Sequence, residues 1–530
     1  MNSRLPRLPL DLSTFREMRK ENYLYIDKTE HAYNLITAGR RYFLSRPRRF
    51  GKSVFVSTLR EILIGNRDLF DGLWIEKSNY TWPEYGVVAL DFSRFGADSV
   101  EIFKMRLCEA LALIAKDYQL TLSIDNLSPE SALEKLVLAL YDKFGRVALV
   151  IDEYDSPILQ LLKNIEEAEK VRDAMRRFFT AIKGFDECIK FVFITGVSSF
   201  AKAGLFSGMN NLQIITLEDK YATICGYTDK EIDDNFSLYL HDWAQKQQIS
   251  FDDLRSEIKR WYNGYHFGIH VSAVYNPFSF MHALSKKVFK NFWFTSGTPT
   301  FLIEELKKQY RQSEYKIINP EGFIASEDDL GIFDVGKVPL PALMFQAGYL
   351  TIESYDETHQ EFKLVYPNVE VKTSLQRYLL AIFARLDNES RASDIASELR
   401  RAFDAQDIDE VVILFKQLFA HVPYQLHTPA EKFYHALLQI ACSVAGIKAI
   451  SEFSTSHGRI DLVVDRPQVV FVIEVKFNAS AQEALQQIQE RRYYERFMHA
   501  DKPIILLGLS FERAANHFDI KYASKQLISG

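Results

Sequence analysis

The sequence predicts an α/β protein: a parallel sheet covered by helices, then a helical region, then a second α/β unit at the C-terminal end. Three observations carry this expectation. Between residues 40 and 217, five short apolar runs rich in β-branched and aromatic residues alternate with stretches of helical periodicity. Near-continuous apolarity is what strands buried on both faces of a parallel sheet require. From 218 to about 300 the pattern turns helical, broken by the aromatic turns Trp261–Gly268 and Tyr275–Phe280. After residue 425 the order becomes helix, strands, helix, strand.

Taken in order, residues 1–40 read as a lead-in with one helix, Lys28–Ala38. The strand-like runs are Arg40–Ser45, Gly86–Ser93, Arg146–Asp155, Lys190–Ser199 and Asn211–Leu217, with helices expected over 101–119 and 129–144. Together they predict a three-layer α/β domain over 41–217. Residues 218–300 occupy the place of a helical lid. Residues 301–367 mix helix and strand and suggest a small winged-helix-like module. Residues 368–425 read as a helical connector, with Leu379, Leu380, Ile382 and Phe383, then Val411, Val412, Phe415 and Phe419, at helical spacing. Residues 426–530 form the last α/β domain. No repeat, low-complexity segment or heptad array interrupts this order.

Composition narrows the class. The 530 residues are 47% hydrophobic and 25% charged, as in ordinary soluble domains, and 40 Phe and 26 Tyr can fill sizeable cores. A formal net charge of −6 gives no global attraction to nucleic acid, so any such binding must use local basic patches. The cysteines Cys108, Cys188, Cys225 and Cys442 are scattered without a CxxC pair, which points to reduced thiols and away from a cysteine zinc site. No apolar run approaches the ~20 residues that span a bilayer. A soluble, cytoplasmic protein without a membrane partner is expected.

The first chemical motif is Arg46–Ser53, RPRRFGKS, between the run Tyr42-Phe43-Leu44 and the helical stretch VFVSTLREIL. Strand, tight loop, then Gly-Lys-Ser opening a helix is the setting of a phosphate-binding loop. The helix N-terminus offers unpaired N–H groups and a positive dipole end to phosphate oxygens. Arg48, Arg49, Phe50, Gly51, Lys52, Ser53 and Val54 are the candidate nucleotide-binding residues. Gly51 permits close backbone approach, Lys52 reaches the outer phosphates, and the Ser53 hydroxyl suits Mg²⁺. The usual form begins with glycine; here that position holds Arg46. Arg46, Arg48 and Arg49 either take a charge-neutralising or finger role or form an ordinary basic loop rim.

The second motif is VALVIDEYD. Asp152 at the end of a parallel strand can hold the magnesium water shell, and Glu153 can orient the attacking water. The run Gly86–Ser93 lies between the two motifs in the chain and is expected to lie between their strands in the sheet, the arrangement of the additional-strand P-loop class. Thr195, ending FVFITG, either contacts the terminal phosphate or satisfies a strand-end carbonyl. ATP and Mg²⁺ are the expected ligands.

The C-terminal end carries separate chemistry. Gly458–Val464 and Phe471–Phe477 read as strands joined by a turn containing Asp465, Arg466 and Pro467. Asp461 and Glu474-x-Lys476 form a D…ExK pattern. A hairpin can bring Asp461 and Glu474 together as hard oxygen ligands for Mg²⁺. Alternation places Glu474 and Lys476 on one strand face, where Lys476 can activate water. Glu431 either completes that site or is the N3 residue of a capping box begun by Thr428. His435 reads as a helix-face residue and Glu452 as a neighbour in the preceding strand. Arg491, Arg492 and Arg496 offer charge to a phosphate backbone or form a solvated face.

The succession YIDKT (Tyr25–Thr29), RPRRFGKS, LVIDEYD, ITGVSSF, CGYT, WYNGYHF, YNPFSF and GRIDLV resembles the AAA-ATPase-like family that carries a C-terminal PD-(D/E)XK nuclease-type domain. The likeness covers nearly the whole chain and includes the arginine at the first loop position. It implies a restriction-endonuclease-like C-terminal fold and points to Gln487 and Tyr493 as supporting residues. Helical spacing instead pairs Gln489 with Tyr493, at i and i+4. The leading expectation is an ATP-hydrolysing module coupled to a Mg²⁺-dependent nuclease, with DNA the expected substrate and defence against foreign nucleic acid a setting for it. The alternative is an ATP-gated switch or scaffold whose C-terminal fold binds nucleic acid or a partner without cutting. P-loop switches often assemble, so a homo-oligomer belongs to the expectation.

Overall fold

The computed structural model describes the chain from Leu5 to Leu527, except residues 97, 125, 200–203, 207–208, 210, 298–321, 327–328, 331–338, 384–388, 421–430, 456–457, 478, 499–501 and 514–517. The described residues fall into two compact units that divide between Val371 and Lys372. Among them, no helix is long and apolar enough to cross a membrane.

The first unit opens with α1 (Phe15–Lys20) and α2 (Thr29–Ala38), then β1 (Arg41–Ser45), α3 (Lys52–Leu63), β2 (Gly86–Asp91), α4 (Val100–Asp117), α5 (Pro129–Phe144) and β3 (Val147–Asp152). There follow α6 (Ser156–Gln160), α7 (Ile165–Lys183), β4 (Ile189–Gly196) and the short β5 (Gln213–Ile214). The five strands form one sheet in the order β2-β3-β4-β1-β5, and every pair is parallel. This sheet corrects one expectation. The strand inserted between the phosphate-loop strand β1 and the Asp152 strand β3 is β4, not the Gly86 run. The additional-strand arrangement holds, but β2 lies at the sheet edge. Burial records the difference: β1 and β3 are buried throughout, whereas Ala89 and Asp91 of β2 are only half-buried. All these runs are similarly apolar, so their composition does not encode lateral position.

Beyond the sheet come α8 (Asp229–Gln247), α9 (Phe251–Tyr262), α10 (Pro277–Lys286) and α11 (Phe292–Gly297). The α8 start is a capping box in which Thr228 and Glu231 satisfy each other's backbone N–H groups. Ile232, Phe236, Leu240, Trp243, Leu254, Ile258 and Phe280 build one apolar cluster from α8, α9 and α10. The unit closes with an antiparallel sheet of β6 (Phe323–Ser326), β7 (Thr351–Asp356) and β8 (Glu361–Val365), preceded in part by α12 (Leu340–Ala347).

His31 on α2 gives this unit a pH dependence. Burial, then the charges of Lys28, Arg46 and Lys220, lower its pKa to about 4. A Thr223 hydroxyl lies 3.2 Å from its Nε2. The unfolded chain takes up this proton near pH 6.5, whereas the folded chain resists it. Stability is therefore complete above pH 6.5 and falls as pH drops toward 4, by roughly 3 kcal/mol at most. Urea melts at pH 7 and pH 4.5 should show this loss, and His31→Gln should reduce it.

The second unit contains most of α13 (Val369–Phe383), then α14 (Glu389–Ala405), α15 (Ile408–Ala420), α16 (Glu431–Val444), β9 (Lys448–Thr455), β10 (Gly458–Arg466), β11 (Val469–Phe477), α17 (Ala481–Glu490), β12 (Ile504–Arg513) and β13 (Phe518–Leu527). The sheet order is β13-β12-β11-β10-β9, antiparallel except for the β11–β12 pair. A parallel pair needs a crossover, and α17 supplies it. Helices α14 and α15, in the stretch expected to be a connector, lie against this sheet. Phe403 meets Phe471 at a ring separation of 4.9 Å, and Phe419 meets Phe511 at 5.3 Å. Arg466 holds Asp404 through two bonds of 2.7 and 3.0 Å.

Candidate active sites

At the β1–α3 junction, Gly51 has φ +93°, a left-handed conformation that glycine adopts at little cost. Its carbonyl accepts the first helical bond from Phe55 N–H at 3.0 Å. The N–H groups of the first turn therefore have no intrahelical acceptor. Lys52 is only 4% exposed. Its Nζ donates to the Pro47 carbonyl at 3.1 Å and stands 3.4 Å from Glu153 Oε1. Glu153 has φ +50°, and its own N–H donates to Asp152 Oδ1 at 2.9 Å. A non-glycine residue held there costs on the order of 1–3 kcal/mol, a strain often stored at functional sites. Asp152 is nearly buried. Burial and then the Glu153 charge raise its pKa to about 6, against a hydrogen bond from Ser53 and the Lys52 charge.

Gly51, Lys52, Ser53 and Glu153 line a cleft of about 580 Å³ together with Arg48, Arg49, Phe50 and Val54, whereas Asp152 is not part of its lining. Arg48 is half-buried and its carbonyl accepts from Trp293 Nε1 at 3.0 Å. Arg49 is exposed, and its guanidinium carbon lies 4.9 Å from the Phe278 ring centre. The Phe50 side chain is buried against Tyr265 and Phe267, at 4.7 and 5.4 Å, so it anchors the loop.

Arg46 does not belong to the basic rim. It is 1% exposed, and its guanidinium donates to the carbonyls of Ser45 (2.8 Å), Thr216 (2.7 Å) and Tyr221 (3.0 Å) while lying 4.2 Å over the Phe267 ring. Burial lowers its pKa to about 10, still well above neutrality. Its charge faces backbone carbonyls behind the loop, so neither a phosphate contact nor a finger role fits its position. Arg46→Gly, which restores the usual loop sequence, should lower stability by roughly 3 kcal/mol or more, because buried carbonyls lose their donors. Denaturant melts would measure this, and nucleotide affinity should not improve.

Thr195 is not brought to the cleft. It is fully buried on β4, and its hydroxyl has no hydrogen-bond partner among the described residues. Two groups escaped the sequence reading. Asp91 pairs with Asp152 across β2 and β3 and lines the cleft. Its signal was an acidic residue ending the run GVVALD, as Asp152 ends VALVID. Asp155, fully buried, accepts from the N–H groups of Val197 (3.2 Å) and Ser198 (2.6 Å). It fastens the ITGVSS turn to the acidic motif. At Gly196 an added Cβ would lie 2.4 Å from Asp155 Oδ1, so the close approach requires glycine.

In the second unit, β10 and β11 form a hairpin with Leu462 opposite Ile473 and Arg466 opposite Val469. Asp465 and Arg466 are therefore strand residues, and the turn is shorter than expected. Just beyond the Leu462 pair, Asp461 Oδ2 accepts from Val475 N–H at 2.8 Å. Glu474 is 2% exposed. Its Oε1 accepts from the Gln487 side-chain amide and lies 3.4 Å from Lys476 Nζ. Its Oε2 is buried without a hydrogen-bond partner among the described residues. Burial and then the Asp461 charge push the Glu474 pKa up to about 7, against the pull of Lys476. An orphaned buried carboxylate oxygen beside a second carboxylate fits a hard divalent cation. Among the described residues no group of three or more His, Cys, Asp or Glu side chains gathers here.

The structure brings Gln487, not Gln489, to Glu474. Helix α17 stops at Glu490, before Tyr493, and Arg492 has φ +48°. The i, i+4 rule thus does not extend to Tyr493, which is buried in a cluster with Ile460, Val472 and Ile488. Arg491, Arg492 and Arg496 are exposed. Glu431 is the first residue of α16, and its side chain lies outside the described residues, as do Thr428, Pro429 and the side chains of His435 and Glu452.

Comparison with known proteins places two family models on the chain: a predicted AAA-ATPase over residues 9–206 and the PD-(D/E)XK nuclease superfamily over 429–518. An uncharacterized protein of the vnfD 5′ region of Azotobacter chroococcum mcd 1 is 34% identical over 521 residues, covering 96% of each chain. Among solved structures, a Walker-type ATPase of Pyrococcus abyssi matches with a TM-score of 0.32 and 12% identity, covering 71% of this chain and 99% of that one. The Orc1 protein of Aeropyrum pernix in complex with DNA matches with a TM-score of 0.26 and 11% identity, covering 66% of this chain and 91% of that one.

Proposed function

The chain belongs to the AAA-ATPase-like family and carries a C-terminal domain of the PD-(D/E)XK nuclease superfamily, and from that premise we propose that it is an ATP-hydrolysing, Mg²⁺-dependent nuclease acting on DNA. The observation that carries the nuclease reading is the Glu474 carboxylate, held on one oxygen by Gln487 and Lys476 and orphaned on the other beside Asp461. Asp461 and Glu474 would hold the cation, which when bound polarises the scissile phosphate and acidifies water. Gln487 fixes the rotation of Glu474 so that Oε2 stays directed at the site. Lys476 would take the proton relay or orient the nucleophile. Arg491, Arg492 and Arg496 are suited to backbone phosphates near the same helix end.

In the first unit Lys52 and Ser53 would bind ATP, Asp152 would support its metal, and Glu153 would orient water. Nucleotide state would set when cleavage occurs, a role that suits defence against foreign nucleic acid in the cytoplasm. The test is incubation of the purified chain with plasmid, single-stranded DNA and RNA, with and without ATP and Mg²⁺. Mg²⁺-dependent loss of plasmid, altered by ATP, is expected. Binding of DNA without cutting in any metal would overturn the nuclease reading and leave an ATP-gated binding protein.

A further inference from the structure

Behind the phosphate loop the chain clamps a single peptide unit. Trp293 is fully buried, and its Nε1–H donates to the Arg48 carbonyl at 3.0 Å. That carbonyl belongs to the peptide joining Arg48 to Arg49. Arg49 holds φ +66°, a left-handed conformation that a residue with a Cβ keeps only when its surroundings fix it. Arg48 and Arg49 line the cleft and Trp293 does not. The peptide is trans, so a carbonyl drawn inward to the indole turns the Arg49 N–H the opposite way, toward the cleft side. With left-handed residues at Arg49 and Gly51, the loop has the kind of backbone that gathers N–H groups into an anion-binding concavity.

The indole is itself held. Its ring lies 5.1 Å from that of Tyr349. At Gly348 an added Cβ would stand 2.8 Å from Pro47 Cβ and 3.2 Å from the indole, so glycine lets the end of α12 reach both. The backbone N–H of Trp293 donates at 2.8 Å to Oε1 of Glu370, a fully buried residue in the first turn of α13. The start of α13 is fastened in turn. Asn368 Oδ1 accepts from Val371 N–H at 3.1 Å, and its Nδ2 donates to the Asn263 carbonyl in the WYNGYHF turn at 2.8 Å. At Gly264 an added Cβ would run into the Pro367 carbonyl, so that turn and the residues before α13 meet without room for a side chain. We propose that Trp293 and Glu370 are positioning residues for nucleotide: the indole presets the Arg48–Arg49 peptide for a phosphate, and the carboxylate holds the indole.

The inference rests on the nucleotide reading of the phosphate loop and adds to it two residues outside the cleft lining. A loop already held in its binding shape loses less conformational freedom when the ligand arrives, and that saving appears as affinity. Trp293→Phe keeps an aromatic ring against Tyr349 and removes only the donor, so the Arg48 carbonyl is released and the peptide can turn. The phosphates would be gripped less well in the ground and transition states alike, so the loss should fall on KM and not on kcat. Glu370→Gln keeps an acceptor oxygen for the Trp293 N–H, whereas Glu370→Met of similar length has none. Because the two residues act in series, removing both should cost no more than removing one.

The experiment is calorimetric titration of the full chain with ATP and with tripolyphosphate, joined to steady-state phosphate release. Wild type is compared with Trp293→Phe, Glu370→Gln, Glu370→Met, the Trp293→Phe/Glu370→Met double variant and Lys52→Ala. Trp293→Phe should weaken ATP and tripolyphosphate by the same factor of about tenfold, the worth of one hydrogen bond, and raise KM to match. Glu370→Met should do likewise, Glu370→Gln should recover most of the loss, and the double variant should stay near the single ones. Melting curves establish that each variant is folded, and the Gln and Met forms at Glu370 carry the test if Trp293→Phe is not. Wild-type affinity in folded Trp293→Phe overturns the proposal, as do equal losses in the two Glu370 variants or a loss of about a hundredfold in the double variant. Failure of the nucleotide reading looks different. Wild type would then bind neither ligand, or Lys52→Ala would bind both as tightly, and both inferences would fall.

Discussion

Glu474→Gln is expected to lower Mg²⁺-dependent cleavage by about a thousandfold, on the order of 4 kcal/mol of barrier, without lowering stability. The substitution keeps the shape and the contact with Gln487 but removes the charge that a cation requires. Stability should be maintained because a buried carboxylate with one orphaned oxygen is costly in the absence of metal. Two readouts check this. The rate of plasmid cleavage should collapse, and the rise in melting temperature with Mg²⁺ that is expected of the wild type should be absent from the variant. Asp461→Asn should behave similarly, although its bond to Val475 N–H gives it a structural share. Gln487→Ala should cost ten- to a hundredfold, as expected for a group that orients a metal ligand, while Gln489→Ala should be silent. Undiminished cleavage by Glu474→Gln would remove the second unit from the reaction.

What the sequence reveals divides along a physical line. Period-two alternation in FVIEVKF places Glu474 and Lys476 on one face, and the hairpin brings Asp461 beside that strand, so local patterning suffices for this group. Gln487 is different. Its place depends on where α17 ends, and the turn through Arg492 at φ +48° is not announced by a glycine or proline. The strands of the first sheet are legible as apolar runs, yet their lateral order is not. Exchanging β2 and β4 leaves each run's composition acceptable, and only burial at Ala89 and Asp91 distinguishes the edge. Arg46 illustrates the strongest limit. An arginine in a phosphate loop reads as an anion contact, because its three carbonyl acceptors come partly from residues 170 and more positions away. Buried polar pairing of that range leaves no periodic trace. Asp155 is hidden for the same reason, since its acceptor role depends on the turn after β4 lying beside the end of β3.

Glu153→Gln is expected to reduce ATP turnover by about a hundred- to a thousandfold while leaving ATP binding intact or slightly tighter. The reasoning begins with the ion pair. Lys52 Nζ is shared between the Pro47 carbonyl and Glu153, 3.4 Å away. An arriving phosphate chain would be a stronger partner for the ammonium, so Lys52 would exchange partners and leave the Glu153 carboxylate to the attacking water. The positive φ of Glu153 directs that carboxylate toward the loop, and the amide variant keeps this backbone while losing the base. It also removes the competitor for Lys52, which is why affinity should not fall. Lys52→Ala should instead abolish binding. The two variants then separate occupancy from turnover in the other unit. If nucleotide occupancy licenses DNA cleavage, Glu153→Gln with ATP should cut persistently and Lys52→Ala should not respond to ATP. If turnover is needed, both should fail. Phosphate release and plasmid cleavage measured on the same preparations decide between these outcomes, and unchanged phosphate release by Glu153→Gln would remove Glu153 from the hydrolytic step.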